Sequence, residues 1–307
     1  MAGIEVSGLA RAFGDVHAVR EATFTVEPGH VAGLIGPNGA GKTTLLLMLA
    51  TLLRPDAGTV RVAGFDAVAE PREVRARMGW MPDLLGSWST LTVREALVAS
   101  ARLYGRPTGA AAARAAELID LVDLGELADR PTRVLSRGQK QRLSLARALV
   151  HDPEVLLLDE PASGLDPVAR ASLRTLVRRL AGEGRTILVS SHVLAELEEM
   201  ADQAVYLSGG VTAAADDIAR AGRTARDWRV RSLDPARLRA ALDAAGWGTA
   251  SRIDNLGAIV PLASEEDAAQ LLAHLVASGV PVSSFAPAVG DLEHVFLDLS
   301  RNGEDRA

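Results

Sequence analysis

Eight residues, Gly36-Pro37-Asn38-Gly39-Ala40-Gly41-Lys42-Thr43, spell G-x-x-x-x-G-K-[ST] between an apolar run at 31–35 and a helix-patterned stretch at 44–53. A loop that wraps a phosphate must turn its backbone N–H groups inward, and side chains at the turning points would block that approach. Gly36, Gly39 and Gly41 remove the obstruction. The helix that follows adds unpaired N–H groups and a partial positive charge aimed at the same anion. Lys42 can then reach the terminal phosphates, and the Thr43 hydroxyl can ligate Mg²⁺. Asn38 and Thr44 complete the candidate cradle. Lys42 and Lys140 are the only lysines in the chain, every other basic residue being Arg. The chemistry this loop implies is binding of a nucleoside triphosphate.

The elements that must hold the loop repeat one device. Apolar runs at 31–35, 155–158 and 186–191 lead into Gly36, into Asp159 and Glu160, and into His192. Each buried strand thus delivers polar groups at its carboxyl end, where open α/β sheets bind ligands. Short apolar runs alternate with helix-patterned segments to about residue 210, which predicts βαβ units and a largely parallel sheet. Between the loop and Asp159 lies a helical insertion over roughly 92–150, with apolar spacing at Leu97, Ala101 and Tyr104 and at Leu118, Ile119 and Val122. Gly105-Arg106-Pro107 and Arg130-Pro131 break it into pieces. After Gly209-Gly210 the texture changes. Strands at 228–231, 249–253, 258–262 and 282–285 and helices at 235–245 and 265–278 read β-α-β-β-α-β, the split βαβ of a ferredoxin-like fold, closed by a helix at 292–299. The tail carries no catalytic constellation and reads as a binding or regulatory module.

Composition bounds the partners. A chain of 307 residues predicts two domains. The boundaries fall at 1–215 and 216–307, with the helical subdomain at about 84–150. A net charge of -6 with a pI near 5.6 leaves no electrostatic surplus for nucleic acid. The absence of cysteine rules out disulfides and thiolate metal sites. The longest apolar stretch, 43–53, is too short to span a bilayer, so a membrane role is expected to come through a partner.

A second motif narrows the class. Leu135-Ser136-Arg137-Gly138-Gln139, ahead of a helix-patterned stretch at 140–150, resembles the L-S-G-G-Q signature of ABC transporter nucleotide-binding subunits. Ser136 and Gly138 at a helix N-terminus can present a hydroxyl and a bare N–H to an anion. The resemblance covers residues 1 to about 208 and implies a P-loop NTPase core of ABC ATPase type, with the smaller α+β domain behind it. It implies ATP and Mg²⁺ as cofactors and a head-to-tail dimer in which each ATP lies between one phosphate loop and the opposite signature, so that Ser136, Gly138 and Gln139 serve the partner's nucleotide. It further implies that Phe13 stacks on adenine, that Asp159 holds Mg²⁺, that Glu160 is the general base, that Asp166 in Ser163-Gly164-Leu165-Asp166 belongs to a loop crossing the dimer interface, and that His192 is the switch histidine near the γ-phosphate. The other histidines match no motif and read as surface or packing residues.

Two positions depart from the family pattern. Asp83 stands where Gln is usual; it offers an oxygen at shorter reach, so its contact with Mg²⁺ is water-mediated or lost, and the expectation is that it still senses the metal. Arg137 replaces the first signature glycine, and its charge either tightens ATP or points to solvent. The tail and the run Ser191-His192-Val193-Leu194-Ala195-Glu196 look like the ATPase subunits of bacterial drug-resistance-type exporters. That branch implies a separate multi-span membrane permease and a cytoplasmic subunit lying peripherally on the inner face of the cell membrane. An importer ATPase and a soluble ABC ATPase acting on DNA or ribosomes are the alternatives.

Overall fold

The computed structural model describes residues 3–83, 86 and 88–304. The expected boundaries at 1, 84 and 307 lie outside the described residues. The chain divides into two compact units, Met1–Ala213 and Ala214–Ala307.

The strands of the first unit are β1 (Ile4–Phe13), β2 (Val16–Val26), β3 (Val31–Ile35), β4 (Ala57–Val62), β5 (Phe65–Asp66), β6 (Met78–Met81), β7 (Val155–Asp159), β8 (Thr186–Ser190), β9 (Gln203–Ser208) and β10 (Val211–Thr212). They form one sheet in the order β5-β4-β1-β2-β10-β9-β3-β8-β7-β6. Its half from β9 to β6 is parallel, as the alternation predicts. The other half, β5-β4-β1-β2, is antiparallel and was not resolved by that alternation. The division follows from burial. Every residue of β3, β7 and β8 is buried, which fits strands covered on both faces, whereas β1 and β2 mix buried with exposed positions.

Helices α1 (Lys42–Leu49), α2 (Pro71–Arg77), α3 (Val93–Leu103), α4 (Thr108–Leu121), α5 (Arg137–Ala148), α6 (Pro167–Gly182) and α7 (Leu194–Glu198) connect these strands. Helix α1 is shorter than the expected 44–53 because Thr51 takes a φ of 60. Helices α3, α4 and α5 pack on one another between β6 and β7. A capping box opens α3, with Thr92 accepting from the Glu95 N–H and Glu95 accepting from the Thr92 N–H. Pro107 caps α4, and Pro131 precedes a short 3₁₀ turn at Thr132–Val134.

The second unit contains α8 (Ala215–Ala221), β11 (Arg226–Ser232), α9 (Pro235–Ala244), β12 (Arg252–Asp254), β13 (Gly257–Leu262), α10 (Glu265–Ala277), β14 (Val282–Pro287) and α11 (Asp291–Glu304). Its antiparallel sheet runs β12-β13-β11-β14, the order of a split βαβ. Val230, Leu238, Leu242, Val260, Leu271 and Leu275 form its core. The strand expected at 249–253 begins only at Arg252, because the Ser251 N–H donates to the Trp247 carbonyl at 2.9 Å and holds those residues in a turn.

Candidate functional site

The phosphate loop lies at the carboxyl end of β3, which sits between the parallel strands β9 and β8, with β7 beyond β8. Gly41 opens α1 with a φ of 102 and no side chain capping the helix. A Cβ at Gly41 would fall 2.2 Å from the Ala18 carbonyl oxygen, and one at Gly36 would fall 2.3 Å from that of Leu207. Close backbone approach therefore demands glycine at both positions. Lys42 is nearly buried, and its Nζ donates to the Gly36 carbonyl at 2.6 Å and the Pro37 carbonyl at 3.1 Å. Burial pushes the Lys42 ammonium below its ordinary pKa, opposed by the charges of Glu160 and Asp159.

Asn38, Gly39, Gly41, Lys42, Thr43, Thr44, Asp83, Asp159, Glu160, Ser163 and His192 line one cleft together with residues 16–18. Asp159 is buried and accepts from the Ser190 hydroxyl at 2.5 Å. Burial raises its pKa, the Ser190 bond lowers it, and the nearby charge of Asp83 raises it further. Glu160 has a φ of 50, in the left-handed region. Its N–H donates to the Ser190 carbonyl at 3.2 Å and hydroxyl at 3.1 Å, and its Oε2 lies 2.7 Å from His192 Nδ1. The cleft can therefore hold an anion against the loop and present a carboxylate braced by an imidazole.

Other candidate residues stand outside this cleft. Phe13 is half exposed at the end of β1, with the Arg11 guanidinium 4.9 Å from its ring centre, and its register partner Val16 lines the cleft. Ser136 caps α5 in a capping box with Gln139, accepting from the Gln139 N–H at 3.2 Å while Gln139 Oε1 accepts from the Ser136 N–H at 2.8 Å. Gly138 faces Leu165. Asp166 caps α6 by accepting from the Ala169 N–H at 2.9 Å. Ser136, Gly138, Gln139 and Asp166 do not line the chain's own phosphate cleft.

The ABC transporter family profile matches residues 19–163. The Nod factor export ATP-binding protein I of Burkholderia lata is 41% identical over 210 residues, covering 68% of this chain and 69% of that protein. The chain belongs to the ATP-binding subunits of ABC transporters. The daunorubicin/doxorubicin resistance ATP-binding protein DrrA of Streptomyces peucetius is 41% identical over 207 residues, 67% of this chain and 63% of that one. A solved structure of an ABC transporter ATP-binding subunit superposes with a TM-score of 0.64 at 29% identity, over 71% of this chain and 92% of that one. The parallel half of the sheet and the phosphate loop are thus those of an ABC ATPase, and ATP is the nucleotide that the family takes.

In this ATP-binding subunit two side chains of the site, Ser190 and Gln141, gave no signal in the sequence. Ser190 bridges Asp159 and Glu160 from the last residue of β8, inside a run that reads as uniformly buried strand. Gln141 is buried and donates to the Glu160 carbonyl at 2.8 Å. His17 is exposed on β2, in keeping with its reading as a surface or packing residue, and lines the cleft. His151 and His294 do pack, His151 stacked on Tyr104 at 3.8 Å and His294 bonded to Thr224 at 3.1 Å. Arg137 is exposed, as one of its two expected courses has it, and its Nη2 donates to the Ser163 hydroxyl of the same chain at 2.8 Å.

Proposed function

We propose that the chain is the ATPase of an exporter, hydrolysing ATP at a head-to-tail dimer interface to drive efflux through a separate multi-span permease. The observation that carries this reading is the Glu160–His192 contact of 2.7 Å in the cleft that also holds Lys42, Thr43 and Asp159. A carboxylate there can orient water and take its proton as the water attacks the γ-phosphate, giving ADP and phosphate. His192 holds that carboxylate and would stand near the γ-phosphate. Lys42 and the loop N–H groups bind the transferred group's charge. Thr43, Asp159 and Asp83 would hold Mg²⁺, which neutralises charge on the phosphates. The donor set fits that ion, since all three residues offer oxygen. Among the described residues no group of three or more His, Cys, Asp or Glu could hold a metal unaided, as suits an ion shared with substrate phosphates.

Ser136, Gly138, Gln139 and Asp166 would meet a second copy's nucleotide, which their position outside their own cleft supports. Phe13 would stack on adenine from the rim. The helical insertion would meet the permease through an aromatic face where Arg147 lies over Trp88, Tyr104 stacks on His151, and Leu103 is 77% exposed. No helix among the described residues is long and apolar enough to cross a membrane. We assign the chain to the inner face of the cell membrane, held there by its partner. Residues 216–307 would form the accessory binding module. The similarity to export and drug-resistance ATP-binding proteins supports export over import.

The test is Glu160→Gln. That variant is expected to bind ATP, hydrolyse it very slowly and accumulate as a dimer in size-exclusion chromatography. Normal turnover would remove Glu160 from the base role.

A further inference from the structure

Helix α5 touches the Glu160 segment at two points. Gln141, 2% exposed, donates from Nε2 to the Glu160 carbonyl at 2.8 Å. Arg137 donates from Nη2 to the Ser163 hydroxyl at 2.8 Å and lies across Gly164, where a Cβ would fall 2.7 Å from its Cδ. The two residues are four apart, so they share one face of the helix. Between their contacts the Ser163 N–H closes a turn onto the Glu160 carbonyl at 3.1 Å. The segment 160–164 is thus fastened at both ends to a helix whose first turn is the signature.

We propose that Arg137 and Gln141 are positioning residues: they brace the backbone of 160–164 against α5, so that the orientation of the Glu160 carboxylate is set by the helix beginning at Ser136. This rests on the reading of Glu160 as the base. Its physical basis is the left-handed backbone of Glu160, which is uncommon for a residue with a Cβ and persists only where its surroundings hold it. A displacement of the signature helix would be passed through a buried amide and a guanidinium to the residue that handles the attacking water. The arginine that departs from the family's glycine supplies the outer contact. Glycine at 137 would leave only the inner one.

The test uses the full chain carrying Gln141→Leu, Arg137→Ala or Arg137→Lys, with Glu160→Gln alongside. Two quantities are read: amide exchange over 160–164 by mass spectrometry, and kcat and KM for ATP with Mg²⁺. Gln141→Leu and Arg137→Ala are expected to speed exchange over that segment and to lower kcat about tenfold with KM within about twofold, because a small displacement of a reacting group acts on turnover more than on binding. Arg137→Lys, which keeps a cationic donor, is expected to recover most of the loss. Arg137 is on the surface, so Arg137→Ala remains decisive even if Gln141→Leu does not fold. Unchanged exchange and unchanged kcat in Arg137→Ala would overturn the proposal, as would faster exchange without any fall in kcat while Glu160→Gln is inactive. Normal turnover by Glu160→Gln would instead overturn the assignment of the base, and the exchange data would still decide whether the brace exists.

Discussion

Replacing Ser190 by Ala isolates one hydrogen bond in the site. The residue is fully buried, and its hydroxyl donates to Asp159 at 2.5 Å while accepting from the Glu160 N–H at 3.1 Å. The Glu160 N–H keeps the Ser190 carbonyl at 3.2 Å, so the loss falls on Asp159. A hydrogen bond to a charged group contributes about 1.5–3 kcal/mol, and Asp159 is buried, so water does not replace the donor freely. A loss of about 2 kcal/mol in a unit of this size lowers the melting temperature by about 4–8 °C. If roughly 1.4 kcal/mol of the same contact is expressed in the transition state, kcat falls about tenfold. Thermal melting monitored by circular dichroism and a phosphate-release assay measure the two effects, with Ser190→Thr as the variant that keeps the hydroxyl. A Ser190→Ala protein that melts within about 1 °C of the parent and turns over at the parental rate would refute the view that this contact holds Asp159.

Gly41→Ala places a Cβ 2.2 Å from the Ala18 carbonyl at a φ of 102, so it is expected to lose ATP binding and more than about 1 kcal/mol of stability, read by fluorescent-nucleotide titration and melting. The His151 imidazole is held below its ordinary pKa by burial, against the Met78 carbonyl bond that raises it. Because the unfolded chain binds that proton more readily, the parent should lose stability as pH falls below about 6.5, and His151→Phe, which keeps a ring against Tyr104, should flatten melting temperature against pH in that range. Leu103→Glu, at a site 77% exposed, should leave the melting temperature unchanged and reduce the amount of membrane subunit that co-purifies with the chain.

The phosphate loop was legible in the sequence because its chemistry is local: glycine spacing, a lysine and a hydroxyl lie within eight consecutive residues. The strand ends were legible because β3, β7 and β8 are buried throughout, with β3 running into the glycines of the loop and β7 and β8 ending in polar residues. Ser190 and Gln141 were not, since a hydroxyl or an amide inside an apolar stretch carries no pattern until the fold supplies its partner. Arg137 shows the same limit from the other side. Its departure from the motif was visible, but its partner Ser163 lies 26 residues away and meets it only through the packing of α5 on the turn after β7. The antiparallel half of the sheet escaped because β1 pairs with both neighbours through register shifts and half-exposed positions, which blur the two-residue period.

The strained backbone at Glu160 has a geometric reason. In an extended strand successive side chains point to opposite faces, so Asp159 and Glu160 would diverge if β7 simply continued. A left-handed turn at Glu160 breaks the alternation and brings both carboxylates to one cleft, beside Thr43 and Lys42. A residue other than glycine pays for that conformation with about 1–3 kcal/mol. The surroundings fix it from two sides: the N–H is held by the carbonyl and hydroxyl of Ser190, and the carbonyl by Gln141 and the Ser163 N–H. Ser190 belongs to the neighbouring strand and Gln141 to the signature helix, so the geometry of the carboxylate is determined jointly by the sheet and by the helical insertion. Motion of that insertion relative to the sheet would therefore act first on the direction of Glu160, before any change in how tightly the loop holds phosphate.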